Sequence, residues 1–131
     1  MIFDSTVWVD YYKNKLTPKT DLLHEKIINI NRLCVCPIIV QEVLQGFRED
    51  NLYIEAFNTF EALEKLNLPS YYVAQKASQL YRSCRKEGKT IRKANDCIIA
   101  IYALEFALEL VHNDSDFDLI AQVFPLKIYN P

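Results

Sequence analysis

Four acidic residues far apart in the chain, Asp4, Glu42, Asp96 and Asp114, stand in contexts that deliver them to one place. Asp4 interrupts an apolar opening, Ile2-Phe3 followed by Val7-Trp8-Val9, where a short strand turns directly into a helix. Glu42 lies little more than one turn into a helix after a second strand. Asp96 heads the segment Asp96-Cys97-Ile98-Ile99-Ala100-Ile101-Tyr102-Ala103-Leu104, which is apolar around nearly its whole circumference and must be buried. Asp114 follows a later strand. Taken singly, each acid reads as a cap or a helix-dipole charge, worth ~0.3 to 1 kcal/mol. Taken together they do not. Two carboxylates ~4 Å apart repel by about 4 kcal/mol at an effective dielectric of 20, so the cluster requires protons, cations or metal. An oxygen-only donor set suits Mg2+ or Mn2+ rather than zinc. One or two such ions activate water and neutralise charge on a pentacoordinate phosphate, which is the chemistry of phosphodiester hydrolysis.

The elements that must bring these acids together alternate along the chain. After the strand at Ile2-Phe3, a helix is expected over Thr6–Lys13 with Trp8 and Val9 inward. Thr17 caps a second helix with Pro18 at its first position and Leu22, Leu23, Lys26, Ile27 and Ile30 marking its inner stripe. Leu33–Cys36 reads as a strand, Ile38–Gly46 as a helix opened by Pro37, and Asn51–Lys65 as a helix carrying Leu52, Ile54, Phe57, Phe60 and Leu63. Leu66–Leu68 reads as a weak third strand. Ser70 caps a long helix that Gly88 stops. Ala94–Leu108 is the next helix, Glu109–His112 a strand, Asp116–Val123 a helix and Leu126–Tyr129 a last strand. Strands separated by helices predict a parallel sheet of four to five strands between two helical layers, an α/β/α sandwich. In right-handed crossovers every helix that follows a strand begins at the carboxyl edge, where open α/β sheets bind ligands. All four acids fall there. Gly46, near Glu42, permits close approach to that carboxylate or simply ends the helix.

Half of the 131 residues are hydrophobic, and only two are glycine, so residues 1–131 are expected to form one domain. The absence of a basic leader and of any apolar run near membrane length predicts a soluble, cytoplasmic protein. Cys34, Cys36, Cys84 and Cys97 lack metal-finger spacing and read as buried reduced thiols. A net charge of -2 gives no global attraction to nucleic acid, so any such affinity is local.

The motifs Asp4-Ser5-Thr6-Val7-Trp8, Pro37 with Glu42 and Gly46, Asn95-Asp96 opening an Ile/Ala-rich helix, and HNDSDFD at 112–118 together resemble the PIN-domain ribonucleases, specifically VapC-type toxins of bacterial toxin-antitoxin pairs. The resemblance spans essentially the whole chain, with 38, 54 and 18 residues between successive acids. It implies a PIN-like fold and a metal-dependent endoribonuclease acting on structured RNA such as tRNA or rRNA. It also implies inhibition by a VapB-type antitoxin and a homodimer. It carries over to Asp4, Glu42, Asp96 and Asp114 as metal-binding carboxylates, with Asp116 as an accessory acid and Ser5 and Asn95 as supporting polar residues. His112 stands where the family usually has Thr or Ser, and a histidine there can hydrogen-bond a carboxylate or phosphate. In this reading Asp4 and Asp96 hold the principal ion, and Glu42 and Asp114 complete the site.

Six of the fifteen cations, Arg82, Arg85, Lys86, Lys89, Arg92 and Lys93, precede Asp96 with Glu87 as the single acid among them. Arg85, Lys89, Arg92 and Lys93 are candidate phosphate contacts, or else a solvated helix end. Tyr71, Tyr72, Tyr81 and Trp8 read as base-stacking candidates or as core and dimer contacts. Thr6 occupies the position where a haloacid-type phosphatase needs a second Asp. Neither His24 nor His112 has a glycine-flanked nucleophile to serve. The alternatives that remain are a non-catalytic PIN-like module that binds RNA or protein, and a DNA-directed nuclease with the same acids.

Overall fold

Ile2 and Phe3 lack any polar atom beyond the backbone and are fully buried, so the strand they form sits in the middle of the sheet. The computed structural model describes residues 1–29 and 32–131. Its elements run β1 (Ile2–Phe3), α1 (Ser5–Tyr12), α2 (Pro18–Asn29), β2 (Cys34–Val35), α3 (Pro37–Leu44), α4 (Asp50–Glu61), β3 (Glu64–Lys65), α5 (Ser70–Lys86), α6 (Ala94–Glu105), β4 (Glu109–Val111), α7 (Ser115–Ala121) and β5 (Lys127–Ile128). The five strands are parallel in the order β3-β2-β1-β4-β5, with Ile2 opposite both Cys34 and Leu110, and Phe3 opposite Val111. The expected α/β/α architecture is the one observed.

The order positions the site. From β1 the chain steps outward to β2 and β3, then returns across the sheet to β4 and β5. Right-handed crossovers put α1 to α4 on one face and α5 to α7 on the other. Neighbouring β1 and β4 therefore send their connections to opposite faces, which opens a crevice at their carboxyl ends. Asp4 follows β1 directly and Asp114 lies three residues beyond β4.

Local chemistry explains the helix ends. Thr17 caps α2 as expected: its Oγ1 accepts from Thr20 N at 3.1 Å, while Thr20 Oγ1 accepts from Thr17 N at 2.9 Å. Leu23 of the expected stripe is fully buried, Leu22, Lys26 and Ile27 are half-buried, and Ile30 lies outside the described residues. Ser70 is not a cap. It is the first residue of α5, and Pro69 precedes it without a side-chain capping bond.

Three other expectations are corrected. The third strand is Glu64–Lys65 rather than Leu66–Leu68, because an edge strand tolerates two exposed charges while Leu63 and Leu66 on either side bury their side chains. In α1 Val7 and Trp8 are buried and Val9 is only half-buried. In α4 the inward residues are Ala56 and Phe60, continued by Leu63, so Ile54 and Phe57 face outward. The four cysteines are buried and unpaired, and burial pushes the thiols of Cys36 and Cys97 up to about 12. They are neutral at physiological pH.

Candidate functional site

Asp4 is the N-cap of α1, held there by the backbone bond Asp4 N to Val111 O (2.9 Å) across the β1–β4 seam. Its Oδ2 accepts from Thr6 Oγ1 at 2.7 Å and from Thr6 N at 3.3 Å. Its Oδ1 is buried and has no hydrogen-bond partner among the described residues. Asp96, in the first turn of α6, is also buried, and its Oδ2 is likewise unpartnered. Two bare, buried carboxylate oxygens, on residues near enough for the charge of Asp4 to raise the pKa of Asp96, are costly unless something cationic reaches them.

Glu42 joins them through its neighbours. Ser5 Oγ donates to its Oε2 at 2.7 Å and Asn95 Nδ2 to its Oε1 at 3.3 Å, so residues flanking Asp4 and Asp96 hold the same carboxylate. Both supporting residues expected from sequence touch Glu42 directly.

Asp114 caps α7, its Oδ1 accepting from Asp116 N at 3.0 Å. Carboxylate oxygens of Asp96, Asp114 and Asp116 lie within 4.8 Å of one another. Asp116, fully buried, has other commitments: Oδ2 accepts from the backbone N–H groups of Arg92 and Lys93, both at 3.1 Å, and Oδ1 meets Arg92 Nε at 3.4 Å. It anchors the segment that leads into α6. His112 contacts no site carboxylate; its Nδ1 accepts from Asp114 N at 3.1 Å and its Nε2 lies 3.3 Å from Asp118 Oδ1. Burial holds its imidazole below the ordinary histidine range, against the opposing charge of Asp118.

Asp4, Asp96 and Asp114 are shifted differently. Burial lifts Asp4 above the usual carboxylate range, with the Glu42 charge adding to it and bonds from Thr6 and the Ser5 backbone opposing. Asp96 is pushed up to about 8 by burial first and then by the charges of Asp4, Asp114 and Asp116. Burial works in the same direction on Asp114, yet the hydrogen bonds from Lys93 and Asp116 N and the charges of Lys93 and Arg92 outweigh it and leave the group below its usual value.

The basic segment divides. Lys93 Nζ pairs with Asp114 Oδ2 at 2.7 Å and Arg92 Nη2 with Asp114 Oδ1 at 3.5 Å, so two of the four candidate phosphate contacts rest on the site's own acids. Their side chains are 59% and 66% exposed, and neither hydrogen-bonds the bare oxygens of Asp4 and Asp96. Arg85 instead lies over the Tyr81 ring, 5.6 Å from its centroid, and Lys89 Nζ donates to Glu87 O. Trp8 is a core residue against Phe60, Tyr72 bonds Glu105, and Tyr71 is exposed.

Sequence reasoning missed Thr6, Asp118 and a polar clasp in which Lys19 Nζ donates to His112 O and Asn113 Oδ1 while Asn113 Nδ2 reaches Asp10. The N-cap rule foretells that Asp4 accepts from the backbone N–H of Thr6 but says nothing of its hydroxyl. The other contacts span ninety or more residues, or depend on how α7 turns, and leave no local mark.

The all-oxygen donor set and the two unpartnered buried oxygens fit a hard divalent ion. Comparisons with known proteins agree with this fold. The model of the PIN domain family matches residues 1–123. VapC ribonuclease Mb1587 of Mycobacterium bovis and ribonuclease VapC11 of Mycobacterium tuberculosis are each 30% identical over 131 residues, covering 97% of this chain and 96% of the relative. Among solved structures, FitAcB from Neisseria gonorrhoeae superposes with a TM-score of 0.71 at 17% identity, over 99% of this chain and 96% of that one. VapBC2 from Rickettsia felis, bound to a DNA fragment from its promoter, gives 0.73 at 18% identity, over 100% and 99%.

Proposed function

Since the chain belongs to the PIN domain family, we propose that it is a Mg2+- or Mn2+-dependent endoribonuclease toxin that hydrolyses phosphodiester bonds of structured RNA, tRNA or rRNA, and is neutralised by a VapB-type antitoxin. The observation that carries this reading is the pair of bare, buried oxygens, Asp4 Oδ1 and Asp96 Oδ2, with Asp114 and Asp116 oxygens within 4.8 Å of Asp96 and with Glu42 held by Ser5 and Asn95, the neighbours of Asp4 and Asp96. The relatives named as ribonucleases support nuclease activity, and the VapBC neighbour supports an antitoxin partner. The reading takes residues 1–131 as one domain and the working form as a cytoplasmic homodimer. Among the described residues no helix is long and apolar enough to cross a membrane.

In this mechanism Asp4 and Asp96 would hold the principal ion, and Asp114 and Glu42 would complete the site. A divalent ion so held supplies charge neutralisation at the phosphate and lowers the pKa of water. The protein's own part is orientation. Thr6 fixes the Asp4 carboxylate, Ser5 and Asn95 fix Glu42, and Asp116 ties the Arg92-Lys93 segment to the start of α6. Asp4 and Asp96, which burial pushes toward the neutral form, would be kept ionised by a bound cation. On the partner side, α4 presents Tyr53, Ile54 and Phe57 to solvent, a surface suited to an apolar helix.

The test is cleavage of a total RNA pool and of single-stranded DNA in Mn2+ or EDTA, with Asp4→Asn and Asp96→Asn beside the wild type. RNA cleavage that needs the metal and disappears in both variants is expected. Wild-type rates in either variant, or cleavage insensitive to EDTA, would overturn the assignment; metal-dependent cutting of DNA alone would transfer the same site to a different substrate.

A further inference from the structure

His112 is the first residue after β4, and its side chain is buried. One ring nitrogen, Nδ1, accepts the backbone N–H of Asp114 at 3.1 Å. A nitrogen that accepts carries no proton, so the proton of the neutral ring belongs on Nε2, which faces Asp118 Oδ1 at 3.3 Å. The ring also packs on Phe117 with centroids 5.1 Å apart, and the His112 carbonyl accepts from Lys19 Nζ. One imidazole thus spans the turn that carries Asp114, bonded to its backbone on one side and to the first turn of α7 on the other. Within that turn Asp114 is the N-cap of α7, and its carboxylate lies with those of Asp96 and Asp116. A short acceptor at position i that takes the N–H of i+2 is how Ser, Thr or Asn forms such a turn. Here a ring nitrogen does that work from a larger, packed side chain.

We propose that His112 is a positioning residue for the acidic site: through Nδ1 it holds the backbone of Asp114 so that this carboxylate stays aimed at Asp96. Asp118 selects the tautomer by accepting from Nε2–H. The consequence for metal affinity rests on the nuclease reading, whereas the consequence for the turn does not.

The experiment compares His112→Leu, which keeps bulk against Phe117 but removes both bonds, with His112→Asn, whose Oδ1 can accept the same N–H. Mn2+ affinity is read by calorimetry and Asp114 amide exchange by NMR. His112→Leu is expected to weaken Mn2+ binding by about 10- to 100-fold, the range for residues that orient metal ligands, and to speed Asp114 amide exchange. His112→Asn should recover both to within about threefold of the wild type, well inside the lower end of that range. A His112→Leu protein with unchanged affinity and exchange, or a His112→Asn protein as impaired as His112→Leu, would overturn the proposal. If the wild type binds no Mn2+ while Asp114 exchange still responds, the nuclease reading fails and the positioning role stands. If His112→Leu does not fold, the ring nitrogen shifts of the wild-type protein decide: protonation at Nε2 supports the proposal, and protonation at Nδ1 overturns it.

Discussion

Lys93 Nζ lies 2.7 Å from Asp114 Oδ2, so the chain brings a cation of its own to the acids it gathers. Asp114 is the largest influence on the lysine, holding its pKa above the ordinary value, with Asp96 and Asp4 adding to it. The ammonium is largely solvated, which limits the strength of the pair and lets it exchange.

Lys93→Ala is therefore expected to bind Mn2+ more tightly, by roughly two- to fivefold, the scale of an exposed ion pair. Once a divalent ion has taken over the acids, Lys93 and Arg92 become available to phosphates. The double variant Arg92→Ala/Lys93→Ala should then show a shallower dependence of RNA affinity on salt, by about 0.7 in the log–log slope for each single-strand phosphate that is no longer neutralised. Isothermal titration and binding assays across salt concentrations check both. An unchanged slope would mean that these side chains stay on Asp114 and Asp116 in the complex.

Asp96 ties stability to pH. Its carboxyl is normally near 3.8 and is raised to about 8 in the fold, so the native state holds this proton more tightly than the unfolded chain does. The stability it contributes is fully present below about pH 4 and is lost as pH rises through about 8. Asp96→Asn cannot ionise and escapes that loss. In EDTA the variant should be more stable than the wild type at about pH 8, by the order of 3 kcal/mol once solvent screening is set against the roughly 5 kcal/mol that the full shift implies, with the gap closing toward about pH 4. Added Mn2+ should reverse the order by stabilising only the wild type. Denaturant titrations at the two pH values measure this, and a gap that ignores pH would refute it.

Thr6 is the other support of the site. It donates to Asp4 Oδ2 through its hydroxyl and receives the backbone N–H of Asn113 on the same oxygen, at 3.3 Å. Thr6→Val keeps the shape and removes both bonds. A hydrogen bond to an ionised carboxylate is worth ~1.5 to 3 kcal/mol, so a loss of about 2 kcal/mol is expected. In an Asp4→Asn background the same substitution should cost less, because the charge is gone; equal costs in the two backgrounds would show that Asp4 is not the group Thr6 serves.

Two of the acids were legible in the sequence because they stand at strand-to-helix junctions, and junctions of parallel sheets share one edge; Glu42 lies inside α3 and Asp96 opens α6, which follows α5 rather than a strand. Asp4 and Asp114 needed only that rule and the alternation of elements. What the sequence left hidden was set by interactions between distant side chains. Arg92 and Lys93 read as a basic patch, but the backbone N–H bonds to Asp116 turn them back onto the acids. Ile54 and Phe57 fitted a helical stripe, yet Ala56 and Phe60 took the inward face. Glu64–Lys65 carried no apolar signal, since an edge strand needs none.

The helix expected to run to Leu108 stops at Glu105, and the manner of its ending carries a last prediction. Ala107 adopts φ 52°, Leu108 N bonds Ala103 O at 2.9 Å, and Ala107 N bonds Leu104 O at 3.2 Å. This is the Schellman arrangement of bonds. The same pair closes α5, where Lys89 N bonds Cys84 O and Gly88 N bonds Arg85 O with Gly88 at φ 76°. Glycine made the first ending readable; alanine concealed the second, because a left-handed residue with a Cβ is strained. Ala107 is exposed, so no packing compensates for that strain. Ala107→Gly is accordingly expected to raise stability by about 0.5 to 1 kcal/mol, relief of the left-handed strain exceeding the added freedom of the unfolded chain. Metal affinity and RNA cleavage should not change, since Ala107 follows the far end of α6 from Asp96. Denaturant midpoints of the two proteins decide the matter: a lower midpoint for the glycine variant would show that residue 107 is not held in the left-handed conformation.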